Sequence, residues 1–233
     1  KYIKKNNSPT ILKRRFLDNI NKNKVLGVYK INDEILSKKQ DRLFCNHLKN
    51  MIPKYDLVIV SDYGHGLISK NAAKIICSLS KYLALNAQIN AANVGYHSMR
   101  NYKNIDCVII NENEIRQEMR NRNEKIEFLM KKLSTKQNIK NLIVTRGDRG
   151  SILYNKKNKK NSFCGAYART AVDKIGAGDA MLSVIALCLK SGFDKDLALI
   201  TSSLAAAKSV ETIGNKEAIN KISILKNLEN VLK

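Results

Sequence analysis

The run DKIGAGDAMLS, Asp173 to Ser183, sets two glycines around an alanine, follows them with a single carboxylate and continues straight into an apolar stretch. A helix interior disfavours glycine by about 1 kcal/mol relative to alanine, so these glycines need another reason. At a helix start the first amides lack intrahelical acceptors, and small residues let an anion come close to them. Gly176, Ala177 and Gly178 therefore read as a phosphate cradle. Asp179 would stand in the first turn, beside the positive end of the helix dipole, placed to take a proton from an attacking hydroxyl. Stabilising charge on a moving phosphoryl group and supplying a base for the attacking oxygen are what phosphoryl transfer requires. An ordinary glycine-rich helix start with a capping Asp fits the same letters without any chemistry.

Such a turn must be held by a scaffold, and the chain supplies alternating elements. Thr10 to Phe16 and Val25 to Tyr29 read as extended segments of a β-ribbon around the polar turn DNINKNK. Asp33 to Met51 has the periodicity of an amphipathic helix. DLVIVSD, Asp56 to Asp62, is the apolar run of a buried parallel strand, and SKNAAKIICSLSKYL follows as a helix with Ser69 as N-cap. Further strands are expected at Ala84 to Asn90, Cys107 to Ile110, Asn141 to Arg146 and Ser151 to Tyr154. Helices are expected over Asn111 to Arg120 and Glu124 to Leu133; Phe163 to Ala168 is extended, and the rest is mainly helical. Alternating strands and helices imply an α/β fold, a doubly wound, mostly parallel sheet flanked by helices. Ligands collect at the carboxyl ends of such strands, and the polar stretches SDYGHG, NENE and TRGDRG fall there.

Composition narrows the function. At 233 residues with 44% hydrophobic content, the chain can bury a core. No apolar run approaches the roughly 20 residues that span a bilayer, and the first residues lack the apolar stretch of a secretory signal, so a cytoplasmic protein without membrane association is expected. Five cysteines, scattered and mostly inside apolar runs, fit reduced core thiols and no metal site. The 42 basic against 20 acidic residues give a net charge of +22. Because the lysines are spread along the whole chain, no nucleic-acid partner is expected; the excess gives a general attraction for anionic metabolites.

DKIGAGDA resembles the late signature DTTGAGD of the ribokinase-like (PfkB) carbohydrate kinases. That resemblance implies Asp179 as catalytic base, the amides of Gly176, Ala177 and Gly178 as anion hole, and Asp173 beside a monovalent cation, K⁺ in particular. Lys174 and Ile175 replace two threonines, which leaves the cradle but alters the loop. VTRGDRG resembles the family's nucleotide-binding strand and turn, with Thr145, Gly147 and Gly150 at the matching places; a plain β-turn also suits GDRG. NENE fits the family's N-x-x-E, implying that Asn111 and Glu114 order Mg²⁺, water and the ATP phosphates; a solvated helix start explains it as well. SSLAAAKSVETIGN resembles the helix and loop around the adenine, with Ser203 by the base and Gly214 by the cation, although close helix packing also favours alanine.

SDYGHG is similar to the SDY-x-KG stretch of heptose phosphate kinases, with His65 in place of the lysine. Asp62, Tyr63 and His65 could therefore face a sugar or its phosphate, or form a tight turn. Asn86 to Asn93 lack the Asp-Pro-Lys of many relatives. Residues 1–32 look like that subfamily's lid, which covers the sugar and pairs two subunits, implying a homodimer through the ribbon; residues 33–233 would form the nucleotide-binding and catalytic domain. Relatives run to roughly 300 residues, so the amino-terminal third, with its sugar-holding glycine pair and Asp, is expected to be missing. The expected function is ATP-dependent phosphorylation of a sugar or sugar phosphate, a heptose phosphate foremost. The alternative is a non-catalytic nucleotide-binding or regulatory fragment of such a kinase.

Overall fold

Residues 12–17 (LKRRFL) and 24–30 (KVLGVYK) set short apolar stretches beside lysines and arginines, and among the described residues their strand pairing is with each other. In the computed structural model, which describes residues 2–20, 24–89, 97–168, 172–173, 175–211 and 218–233, β1 (Leu12–Leu17) and β2 (Lys24–Lys30) form a separate antiparallel ribbon. Apolar side chains of this ribbon stay in solvent, Val25, Leu26, Val28 and Phe16 among them.

The continuous apolar runs become the main sheet. β3 (Val58–Asp62), β4 (Leu83–Ala87), β5 (Ile105–Asn111) and β6 (Ile139–Thr145) are parallel in that spatial order. β7 (Ser151–Asn155) and β8 (Lys160–Cys164) extend it antiparallel. Successive side chains leave a strand on opposite faces, and here both faces are dry. Leu83 and Leu85, Val108 and Ile110, and Leu142 and Val144 join one hydrophobic layer, whereas Ala84, Cys107, Ile109 and Ile143 join the other.

Helices cover each layer. α1 (Lys38–Met51), α2 (Lys70–Leu79), α3 (Glu112–Met119) and α4 (Ile126–Gln137) contribute buried residues to the first. α5 (Ala177–Lys190) and α6 (Lys195–Val210) fill the second, and α7 (Lys221–Leu232) packs on α6. This is the α/β sheet with parallel centre that the alternation of elements implies. No helix among the described residues is long and apolar enough to cross a membrane. All five cysteines are free, four of them buried.

Local chemistry explains where the elements differ from the sequence reading. α1 begins at Lys38, later than Asp33, because Ser37 and Gln40 close a reciprocal capping box. Ser69 caps α2 through the Ala72 amide, as expected. β8 starts at Lys160 in a polar stretch whose strand character comes from its ladder to β7.

The end of β3 shows how a polar residue can serve the core. Asp62 is 8% exposed, and its carboxylate accepts from the Tyr102 hydroxyl at 2.6 Å and the Gly64 amide at 3.0 Å. His97 Nε2 lies 3.8 Å away. Burial, together with the Asp62 charge, pushes the Tyr102 phenol far above its usual range, which keeps it a donor. Tyr102→Phe should therefore cost about 1–3 kcal/mol, since it strips a buried carboxylate of a partner. The urea midpoint should fall with an unchanged m-value; a midpoint equal to that of the parent protein would contradict this account of Asp62.

Candidate active site

Parallel strands deliver their carboxyl ends to one edge, and the polar stretches after β3, β5 and β6 meet there around an open cleft of about 1240 Å³. Its lining includes Tyr63, His65, Asn111, Glu114, Thr145, Gly147, Gly150, the turn Gly176 to Asp179, and Ser203. Five separate stretches of chain singled out for chemistry thus face one space. Asp62 and Asp173 stand outside the lining, and Gly214 lies outside the described residues.

The turn into α5 is fixed by its neighbours. The amides of Val172 and Asp173 both donate to the Val210 carbonyl, at 2.9 and 3.1 Å, which ties the turn to the end of α6. The Asp173 carboxylate accepts from the Ile175 amide at 3.0 Å, and Gly176 then takes a left-handed φ of 87° as N-cap. That conformation suits glycine. The first bond of α5 runs from the Ala180 amide to the Gly176 carbonyl, so the amides before it are the orphan donors of the helix start. Asp179 follows them on the exposed side of the first turn. Its carboxylate is bonded by the Ser61 hydroxyl at 3.1 Å and the Tyr63 hydroxyl at 3.0 Å.

Gly178 is informative because the fold does not need it. A Cβ there would meet no atom within 4 Å. The backbone is helical, where alanine is the better residue, so what the missing methyl leaves open is the cleft itself. Gly150 is the opposite case: its φ is +74°, and a Cβ would sit 2.0 Å from the Cys164 carbonyl oxygen. That glycine is required to close the turn onto β8.

On the β5 side, Asn111 and Glu114 form a capping box at the start of α3, so both belong to the helix and to the cleft. Glu114 is 5% exposed; its two oxygens accept from the Asn111 amide at 2.7 Å and the Ile89 amide at 3.2 Å. Burial raises its pKa against those two bonds. Each oxygen keeps a further lone pair, so the pair fits a hard cation held mostly by phosphates and water rather than by a protein cage. The adjacent Glu112 pins the turn after β6, accepting from Arg146 at 3.3 Å and Arg149 at 2.7 Å as well as from Arg116. Burial opposes its ionisation, yet the three guanidinium groups hold its carboxyl below the usual range.

Tyr167, Ile175, Ala206, Ala207 and Val210 give the cleft further apolar lining, which it shares with Ser203, whose hydroxyl lies 3.2 Å from that of Ser151. A flat heteroaromatic ring suits such a slot, with Ser203 as a polar mark. Lys13 and Arg15 on β1 line the cleft together with Tyr63 and His65. Among the described residues, no carboxylate pairs with either cation. Sequence reasoning passed over Lys13, Arg15 and Ser61, whereas the alanine stretch that it set beside the adenine does line the cleft. The spacings of the missed residues carried a signal: positions 13 and 15 share a face of β1, and 61 and 63 are two apart across the end of β3.

Residues 69–222, more than half of the chain, match the model of the pfkB family of carbohydrate kinases. An uncharacterized sugar kinase of Buchnera aphidicola subsp. Schizaphis graminum is 27% identical over 97% of this chain and 69% of its own length. The bifunctional protein HldE of Campylobacter fetus is 26% identical over 81% of this chain, which spans 38% of that protein. The ribokinase of Arabidopsis thaliana, solved with ribose and ATP, superposes with a TM-score of 0.63 at 19% identity, covering 88% of this chain and 65% of that one. At that identity the superposition speaks for the fold alone.

The unfilled space at Gly178 gives a direct test of the cradle. Gly178→Ala should keep or raise the melting temperature, since helix propensity gains up to about 1 kcal/mol. ATP affinity measured by calorimetry should fall about tenfold or more, the loss of at least one charge-assisted contact. Unchanged affinity would show that no phosphate approaches this turn.

Proposed function

This chain belongs to the pfkB family of carbohydrate kinases, and on that premise we propose that it transfers the γ-phosphate of ATP to a hydroxyl of a phosphorylated sugar, a heptose phosphate foremost. The observation that carries the reading is the meeting of Asp179, the start of α5, the turn after β6 and the Asn111–Glu114 pair on one cleft.

In this mechanism the adenine lies in the slot of Ala206, Ala207 and Val210, and the triphosphate runs past Thr145, Gly147 and Gly150 toward the start of α5. Asp179 accepts the proton of the acceptor hydroxyl as its oxygen attacks the γ-phosphorus. The new O–P bond forms while the bond to the bridging oxygen of ADP breaks, and that oxygen leaves with the electron pair. The amides of Gly176, Ala177 and Gly178 take up the charge that spreads over the equatorial oxygens. Mg²⁺, when bound, supplies neutralisation of the β- and γ-phosphates; Asn111 and Glu114 would hold its water shell. For a monovalent cation, Asp173 is the described candidate, and its expected companion Gly214 is outside the described residues.

The acceptor enters under β1 and β2, where Lys13 and Arg15 suit an anionic group. His65, bonded to Asp33 at 2.7 Å, and Tyr63 would line its site. The exposed apolar side of the ribbon supports pairing of two copies into a homodimer.

ADP release with a panel of phosphorylated and unphosphorylated sugars tests the reading. Turnover should appear with ATP and a sugar phosphate, and Asp179→Asn should lower it about 10²- to 10⁴-fold with ATP affinity retained. Turnover untouched by Asp179→Asn would refute the base; ATP binding without transfer to any sugar would mark a nucleotide-binding module instead.

A further inference from the structure

Asp179 is exposed and stands at the first turn of a helix, so packing alone does not fix the plane of its carboxylate. Two hydroxyls from the other side of the cleft do. Ser61 donates to Oδ1 at 3.1 Å and Tyr63 donates to Oδ2 at 3.0 Å. Residues two apart on an extended chain project to the same face, which brings both hydroxyls to α5 while Asp62 between them turns into the core.

We propose that Ser61 and Tyr63 are positioning residues for the Asp179 base, clamping its carboxylate so that a lone pair stays directed at the acceptor hydroxyl. This rests on the reading of Asp179 as the base. An ionised carboxylate offers about four lone-pair sites; the clamp uses one on each oxygen and leaves room for the substrate proton. The clamp is itself anchored. The Tyr63 ring is stacked on His65, with centroids 6.5 Å apart and planes 9° from parallel. His65 is held by Asp33 at 2.7 Å, and the Lys13 ammonium lies 5.1 Å over the Tyr63 ring. Burial, above all, raises the Tyr63 phenol, with the Asp179 charge adding to it, so the hydroxyl keeps its proton. The base thus takes its orientation from β3, the segment before α1 and the ribbon together.

The test is a double-mutant cycle on kcat, with KM for ATP recorded alongside. Tyr63→Phe should lower kcat about 10- to 100-fold, the loss of one hydrogen bond to a charged group, with KM for ATP unchanged. Ser61→Ala should lower it similarly, and Ser61→Thr, which keeps the hydroxyl, should restore most of the rate. In an Asp179→Asn background, Tyr63→Phe should change kcat little further, because the group it orients is gone. Tyr63→Phe at the parent rate, or an equal loss in both backgrounds, would overturn the positioning role while Asp179→Asn alone still reports the base. An Asp179→Asn variant at the parent rate, or no turnover on any sugar, would overturn the base reading and the clamp with it.

Discussion

A helix start can grip a phosphate only if the turn that feeds it does not move when the charge arrives. Here the constraint is met from two directions. The segment before α5 is tied to the end of α6 by two amides sharing the Val210 carbonyl. The first turn of the helix is tied to the end of β3 through the Asp179 carboxylate. Between these ties lie the orphan amides, with a glycine whose absent methyl leaves the space open. In the proposed reaction, electrostatic preorganisation of this kind would need no rearrangement at the moment of transfer.

The sheet makes those ties possible. Parallel strands place all their carboxyl ends on one edge, so residues far apart in sequence, such as Tyr63, Asn111, Thr145 and Asp179, converge without long loops. The same edge concentrates carboxylates that could repel a triphosphate. Glu112 is neutralised by three arginines, and Glu114 spends its oxygens on backbone amides. The net charge of +22 offers a favourable background, and Lys13 and Arg15 bring two of its cations to the cleft.

Much of this was legible in the sequence, for physical reasons. Continuous apolar runs read as buried parallel strands because both faces of the sheet are covered, and Ser69 announced α2 because its hydroxyl has one job there. The GAGD turn, the turn after β6 and the N-x-x-E pair stand out because each is a short contiguous pattern of letters, and the structure brings them to one cleft. Long-range packing was illegible. Asp62 carries the same letter whether it faces a sugar or the core; the Tyr102 hydroxyl that claims it comes from a segment 40 residues away. Ser61 was passed over for the same reason, since its partner Asp179 is 118 positions distant. The late start of α1 turned on a capping box that periodicity alone outvotes.

The central claim is the grip of the α5 start on the moving phosphate. A crystal structure with Mg²⁺ and a non-hydrolysable ATP analogue addresses it most directly. The γ-phosphoryl oxygens should lie about 2.7–3.2 Å from the backbone nitrogens that open α5, with the phosphorus facing the Asp179 carboxylate across room for one acceptor hydroxyl. A triphosphate bound elsewhere, with those nitrogens bonded only to water, would contradict the account.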